Sequence, residues 1–126
     1  MISIAILGHG VVGSGVAEVL LHNEKGITAK AGEQIRVTRI LDLRSFPDLP
    51  YADLFTTNFD DILNDPEIEA VAVETEEIYL TKYAKMVVDS GKHLHMEKPG
   101  SQDLKAFETL IASVKESGKV LHLGYM

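Results

Sequence analysis

The chain contains no cysteine and no long apolar run. Without thiols it can form neither disulfides nor thiolate metal sites, and it has no cysteine nucleophile. The apolar run Ile2–Leu7 is far shorter than the roughly 18 residues of a membrane span, and no basic segment precedes it. We therefore interpret it as a strand rather than a signal, and we expect a cytoplasmic protein without a membrane partner.

Positive charge is also scarce. The chain has 12 lysines and arginines against 19 aspartates and glutamates, for a formal charge of −7. No local block of basic residues offsets this balance, which argues against a nucleic-acid partner. With 126 residues, of which 45% are hydrophobic and 25% charged, the composition is that of one globular domain with a real core.

Strand-like and helical segments alternate along the chain. Helices are predicted near residues 12–21 and 78–88. Asn58 is predicted to cap a short helix through Leu63, and Ser101 to cap a long helix that ends at Gly118. The polar segment 22–34 is predicted to be a loose end or inserted loop. Such alternation favours an α/β fold with a doubly wound parallel sheet, the three-layer Rossmann arrangement of strand order 3-2-1-4-5-6. Six strands are predicted, at Ile2–Leu7, Ile35–Leu41, 54–57, Ile68–Val73, His93–Met96 and Val120–Leu123.

The segment GHGVVG follows the first predicted strand and opens the first predicted helix, and it matches the G-x-G-x-x-G fingerprint. The first glycine permits a tight turn, the second allows a pyrophosphate to approach the backbone, and the third allows helix and strand to pack closely. A helix that begins there directs its N–H groups at the anion. The predicted cofactor-binding residues of this loop are Gly8, His9, Gly10, Val11, Val12 and Gly13.

The second predicted strand ends at Asp42, where a carboxylate would accept hydrogen bonds from the adenosine ribose hydroxyls. Its separation from Gly13 exceeds the usual 20 residues or so because segment 22–34 is inserted. A carboxylate favours NAD over NADP, but Arg44 could receive a 2′-phosphate or could equally be a solvated charge. Asp42, Leu43 and Arg44 are therefore predicted to bind NAD, with NADP as the alternative.

The fourth and fifth strands end near Thr75 and Glu97-Lys98, where the nicotinamide half of the cofactor would lie. Lys98 is the predicted catalytic residue, because a lysine there can exchange a proton as hydride moves. Pro99 restricts the backbone of Lys98. Glu97 is either a solvated charge or a partner that orients Lys98, and Thr75 is expected to contact the cofactor.

Two histidines, His93 and His95, share one face of the fifth predicted strand. Two histidines without a third ligand at suitable spacing make a poor metal site. Polar residues on a partly exposed strand face are the simpler interpretation, and we predict no metal.

The segment GKHLHMEKPGS resembles the signature of the Gfo/Idh/MocA family, and AILGHGVVG, ILNDPEIEAVAVET and VLHLGYM extend the resemblance along the chain. It implies an N-terminal Rossmann domain and a C-terminal substrate domain, acting on sugars, polyols or related compounds with NAD or NADP. It further implies that Lys98 is catalytic or contacts substrate and that Glu97 lies against the cofactor. We expect the chain to be the cofactor domain of a longer, homo-oligomeric enzyme, inactive by itself.

The sequence departs from that family at Glu76-Glu77, where the family usually has proline and a neutral polar residue. The segments LGHGVVGSGVAEVLLHN and RILDLR are also similar to homoserine dehydrogenase, which is the alternative family. A non-catalytic nucleotide-binding module is a third interpretation. Lys98-Pro99 favours an enzyme, because a regulatory module needs no proton-transfer lysine beside the nicotinamide.

Overall fold

The computed structural model describes residues 2–8, 11–44, 46–74, 77–97 and 104–124, and for residues 11–13, 24, 77–81, 97, 123 and 124 it describes the backbone alone. Within these ranges six strands form one sheet in the order β3-β2-β1-β4-β5-β6, and every neighbouring pair is parallel. The predicted doubly wound Rossmann topology is confirmed. The strands are β1 (Ile2–Leu7), β2 (Ile35–Leu41), β3 (Phe55–Thr56), β4 (Ile68–Val73), β5 (His93–Glu97) and β6 (Leu121–Gly124).

Helices cover the sheet on both faces because alternate strand residues point to opposite sides. In β1, Ala5 and Leu7 join a core with residues of α3, α4 and α5, whereas Ile6 joins a second core with Ala17 of α1 and residues of β2. Fully burying each large aliphatic side chain stabilises the fold by about 1.5–3 kcal/mol. The helices are α1 (Val11–His22), α2 (Glu24–Ala31), α3 (Asp60–Leu63), α4 (Glu77–Asp89) and α5 (Leu104–Ser117).

The predicted loop at residues 22–34 is wrong in its central part, which forms α2. Gly26 lies near the start of this helix, and α2 packs against β2 and α1. Tertiary packing thus outweighs the weak helix propensity of this segment. The helix ends at Gly32, which has a φ of 78° and donates its N–H to the Thr28 carbonyl oxygen at 2.9 Å.

The other helices lie close to their predicted positions. The segment predicted at 58–63 forms a helix only from Asp60, and the Asn58 side-chain oxygen accepts a hydrogen bond from the Asp60 N–H at 3.0 Å. The last long helix ends before Gly118, whose φ is 70°. Ser101, its predicted cap, lies outside the described residues. No helix in the described ranges is both long and apolar enough to cross a membrane.

Because all the strands are parallel, their carboxyl ends meet at one edge of the sheet. Leu7 at the end of β1 pairs with Leu41 of β2 and Val73 of β4. Leu41 in turn pairs with Thr56, and Val73 with Met96. The residues that follow these strands are thereby aligned, and they include most of the predicted cofactor-binding positions.

Candidate functional site

Backbone hydrogen bonds continue past the strand ends at the carboxyl edge. Gly8 N–H donates to the Leu41 carbonyl oxygen at 2.7 Å, and Glu74 N–H donates to that of Leu7 at 2.8 Å. Asp42 N–H donates to the Thr56 carbonyl oxygen at 3.2 Å. These bonds fix Gly8 at the central strand, with Asp42 and Glu74 on the two neighbouring strands.

The glycine-rich segment adopts the strand–turn–helix context that the fingerprint requires. Gly8 has a φ of 97°, a left-handed conformation that side chains with a Cβ rarely adopt. α1 begins at Val11, so Val11, Val12 and Gly13 form its first turn. The N–H groups of that turn have no partner within the helix ladder and are suited to an anion. His9 and Gly10 lie outside the described residues, and the cofactor-binding role of this loop stays a prediction.

Asp42 and Arg44 form a tight ion pair immediately after β2. One carboxylate oxygen, Oδ1, accepts the Arg44 backbone N–H at 2.8 Å and Nε–H at 3.1 Å, and Oδ2 accepts Nη2–H at 2.9 Å. The hydrogen bond to Asp42 and its negative charge raise the pKa of Arg44 above its ordinary value. The sequence placed both residues correctly at the strand end, but it did not predict that they bind each other.

The pair lines a pocket of about 420 Å³ between the end of β2 and the connection to β3. The guanidinium carbon of Arg44 lies 5.3 Å from the centroid of the Phe46 ring, a cation–π arrangement. Phe46 in turn packs on Phe55, with the ring centroids 5.2 Å apart. Leu43 also lines the pocket and is 85% exposed, so an apolar surface lies open at this site.

A second cluster of polar side chains lies just after β4 and on β5 and β6. His95 and His122 are register partners, their Nδ1 atoms are 2.7 Å apart, and their rings stack with centroids 4.9 Å apart. On its other side, His95 Nε2 lies 3.6 Å from Oε1 of Glu74, whose side chain is fully buried. One histidine must donate at the Nδ1 contact and the other must accept, so the tautomers of the two rings are coupled.

His93, which shares a strand face with His95, makes a contact of its own. His93 Nδ1 accepts a hydrogen bond from the Val120 N–H at 3.0 Å, which joins the start of β5 to the residue before β6. Among the described side chains there is no group of three histidine, aspartate or glutamate residues that could hold a metal ion.

Of the predicted catalytic centre, the structure describes only the backbone of Glu97. Glu97 is the last residue of β5, where it pairs with Gly124, and its side chain is not described. Thr75 and Lys98 lie outside the described residues. Their predicted roles therefore stay predictions.

Sequence reasoning missed the aromatic wall of the pocket and the contact between Glu74 and His95. Phe46 lies in a connection whose course is not encoded by any periodic pattern. The histidine pair had a detectable signal, because aligning LHM of β5 with LHL of β6 in parallel register places His95 opposite His122.

Comparisons with known proteins agree with this geometry. A family model described as "Oxidoreductase family, NAD-binding Rossmann fold", that of Gfo/Idh/MocA, matches residues 2–125. The NADP⁺-dependent scyllo-inositol 2-dehydrogenase IolW of Bacillus subtilis is 29% identical over 123 residues, which cover 95% of this chain and 32% of that protein. The homoserine dehydrogenase of the same organism is 27% identical over 124 residues, which cover 93% of this chain and 28% of that protein.

Solved structures show the same likeness. The crystal structure of the probable oxidoreductase YhhX superimposes with a TM-score of 0.82 at 26% identity, covering 98% of this chain and 35% of that one. The chain spans about a third of the length of the relatives for which nearly all of it is matched.

Proposed function

Because this chain belongs to the Gfo/Idh/MocA oxidoreductase family with its NAD-binding Rossmann fold, we propose that it binds the cofactor of an enzyme acting on CH–OH groups. The observation that carries the proposal is the position of Asp42. Asp42 directly follows β2, and it lines the 420 Å³ pocket. The preceding residue, Leu41, accepts a hydrogen bond from the N–H of Gly8, which lies at the turn before α1.

The residues present fit one end of a dinucleotide. The pocket falls within the range of about 300–1,000 Å³ that is typical of small-molecule sites. Asp42 supplies acceptors for ribose hydroxyls, and the exposed Leu43 supplies an apolar surface for a base. The first turn of α1 supplies N–H donors for the pyrophosphate, and Gly8 has the positive φ that such a turn needs.

A bound nicotinamide cofactor would supply the acceptor or donor of hydride. Lys98 follows directly after β5, which ends at the carboxyl edge beside β4. We propose that its amine exchanges a proton with the substrate hydroxyl or carbonyl oxygen. We further propose that Thr75 and Glu97 contact the cofactor at the same edge.

The chain corresponds to the cofactor-binding domain of longer relatives. We propose that it is the N-terminal part of such an enzyme, and that a C-terminal domain binds substrate and supports a homo-oligomer in the cytoplasm. The relatives being about three times as long as this chain supports the proposal. On this view residues 1–126 bind cofactor but turn nothing over alone.

Two substrate classes have support. Similarity to scyllo-inositol 2-dehydrogenase and the family match favour a sugar or polyol, and similarity to homoserine dehydrogenase favours L-homoserine as the second candidate. NAD(P)-dependent oxidation of inositols and of L-homoserine by the intact protein would distinguish them. Turnover of L-homoserine alone would overturn the first candidate.

Cofactor binding itself is tested by titrating NADH and NADPH into the protein and following nicotinamide fluorescence. We expect saturable binding with a dissociation constant in the micromolar range, roughly −8 kcal/mol at 1 μM. Failure of both cofactors to bind more tightly than about millimolar would overturn the proposed function.

A further inference from the structure

The side chains of Glu74, His95 and His122, here called the Glu74 cluster, lead from the protein interior to solvent. The Glu74 side chain is fully buried, that of His95 is 34% exposed, and His122 is exposed. His95 Nε2 lies 3.6 Å from Oε1 of Glu74, and His95 Nδ1 lies 2.7 Å from Nδ1 of His122. The two rings are inclined by only 20°, with centroids 4.9 Å apart, so the two Nδ1 atoms face each other.

The Glu74 cluster can gain one proton and keep these contacts. With both rings neutral, one Nδ1–H donates to the other Nδ1, and an ionised Glu74 gives the cluster a net negative charge. With one proton more, a charged His95 donates Nδ1–H to His122 and forms an ion pair with Glu74, and the cluster is neutral. Because the groups are in contact, this proton belongs to the cluster as a whole.

The surroundings of the Glu74 cluster are largely apolar. Ala72 is the register partner of His95 on β4 and packs with Ala17 of α1. In β6, the residues on either side of His122 are leucines, and the other titratable residues of β5 are His93 and Glu97 at its two ends. Histidines in general change charge between about pH 5 and pH 8, so the charge of the cluster is set within this range.

The Glu74 cluster lies beside the strand ends where the nicotinamide half of the cofactor is proposed to bind. Glu74 N–H donates to the carbonyl oxygen of Leu7, the residue before Gly8. Val73 pairs with Met96, so the residues after both strands reach the same edge of the sheet. A nicotinamide ring is positively charged when oxidised and uncharged when reduced. At this edge a negative cluster therefore favours the oxidised ring more than a neutral cluster does.

From this arrangement we propose that the Glu74 cluster binds a proton and releases it when the oxidised cofactor binds. The inference rests on the proposed cofactor-binding function. It gives the cluster a place in the reaction, since hydride transfer removes the positive charge from the ring and makes the cluster a better proton acceptor.

The proton balance of alcohol oxidation fits this role. The C–H bond breaks and its electron pair leaves as hydride, while the O–H bond breaks and its proton passes to the Lys98 amine. The Glu74 cluster then takes that proton from Lys98, with a new N–H bond on a histidine ring. Exposed His122 returns the proton to water when the next oxidised cofactor binds.

The test measures dissociation constants for NAD⁺ and NADH in the intact protein by isothermal titration calorimetry. Both cofactors carry the same phosphates, so the ratio of their constants isolates effects at the nicotinamide ring. Between about pH 6 and about pH 8, NAD⁺ should come to bind at least about fivefold more tightly relative to NADH, a typical coupling between two sites. Calorimetry in two buffers of different ionisation enthalpy should show proton release on binding NAD⁺ but not on binding NADH.

The decisive variant is His95→Gln/His122→Gln, in which two amides replace the titrating rings. The NAD⁺-to-NADH ratio should then change by less than about twofold over the same pH range. His22→Gln, at the exposed end of α1, is the matched control and should behave as the parent. Circular dichroism should show that the variants are folded, and His95→Gln alone gives the same comparison if the double variant does not fold.

Two results would overturn the inference. One is a parent in which the ratio changes by less than about twofold with pH and binding of NAD⁺ releases no proton. The other is a folded histidine variant that keeps the pH dependence of the parent, which would assign the released proton to another group. Failure of both cofactors to bind the parent would instead overturn the proposed function.

Discussion

Two cations at opposite edges of the sheet show how differently the same charge can be used. At the carboxyl edge, Arg44 is mostly exposed and is held by a carboxylate and an aromatic ring. At the amino edge, Lys92 is 4% exposed, and its Nζ donates to the carbonyl oxygens of Asp65 at 2.7 Å and Ile68 at 2.9 Å. The first cation faces a pocket, and the second joins the start of β4 to the start of β5.

The pKa shifts of the two side chains have opposite signs because their surroundings differ. The hydrogen bond and charge of Asp42 raise the pKa of Arg44, whereas burial lowers the pKa of Lys92 despite the opposing charge of Asp65. Carbonyl oxygens satisfy a buried ammonium but do not neutralise it. We therefore expect substitutions at the carboxyl edge to change binding or turnover, and substitutions at the amino edge to change stability.

The largest expected effect is at Lys98. In the intact protein, Lys98→Ala should lower kcat by about 10²–10⁴-fold, because general acid–base catalysis contributes about that much. The dissociation constant for NADH should change little. Steady-state kinetics and fluorescence titration would measure both, and a kcat close to that of the parent would remove Lys98 from the proton-transfer role.

Asp42→Ala should weaken NADH binding by about 10–100-fold, because a hydrogen bond to a charged group contributes about 1.5–3 kcal/mol. Thermal unfolding should shift little, since Arg44 remains exposed to solvent. Asp89→Ala, in the exposed pair with Lys85, is the matched control. Unchanged NADH affinity in Asp42→Ala would show that this carboxylate does not contact the ribose.

Lys92→Met should behave in the opposite way. It removes the Lys92 donor from two carbonyl oxygens, although that of Asp65 still accepts the Ile68 N–H at 3.3 Å. We expect the free energy of unfolding to fall by about 1–3 kcal/mol. Urea denaturation would measure the loss, with Lys85→Met as an exposed control that should cost less than about 1 kcal/mol. NADH affinity should be unaffected by Lys92→Met, and a large loss of binding would contradict the division between the two edges.

The pH dependence of stability tests whether burial lowers the pKa of Lys92. Between the lowered pKa of Lys92 in the folded protein and its ordinary 10.5, the unfolded chain binds more protons at this residue. The free energy of unfolding therefore gains a contribution as pH rises through that window. Measured from about pH 8 to about pH 10, the difference between the parent and Lys92→Met should increase with pH. A constant difference would contradict this. Burial also raises the pKa of Tyr51, but both proteins contain that residue.

The smallest effect is expected between the two edges, at the His95–His122 pair. A double-mutant cycle with His95→Ala and His122→Ala should give a coupling of about 0.2–1 kcal/mol in unfolding free energy, as for other cross-strand pairs. NADH affinity should not change. Strictly additive losses would mean that the 2.7 Å contact contributes nothing to stability.

The strands were the most predictable part of the fold. Ile2–Leu7, Ile35–Leu41 and Ile68–Val73 are adjacent parallel strands inside the sheet, and their β-branched residues appear directly in the sequence. The helix Glu24–Ala31 was not predictable in the same way. Its pattern is weak, and packing against β2 and α1 stabilises it.

The residues of the candidate site also differ in how well the sequence predicts their positions. Gly8 and Asp42 were predictable because each directly follows a strand and the topology fixes where strands end. The hydrogen bonds between Asp42 and Arg44 and the position of Phe46 depend on the course of a loop. The sequence of this loop has no periodic pattern from which that course could be predicted. The contact between Glu74 and His95 depends on the register of β4 and β5. The sequence limits the possible registers but does not determine which one forms.

The backbone hydrogen bonds from Gly8 to Leu41 and from Glu74 to Leu7 fix the distances between the ends of β2, β1 and β4. Neighbouring strands are about 4.8 Å apart. Asp42 and Glu74 therefore keep that spacing from Gly8 even when the loops and helices between the strands change in length. Evolution or a designer can lengthen the segment around α2, or rebuild the loop that carries Arg44, without moving the glycine turn. Cofactor preference is thus free to change while the frame that holds the cofactor is inherited intact.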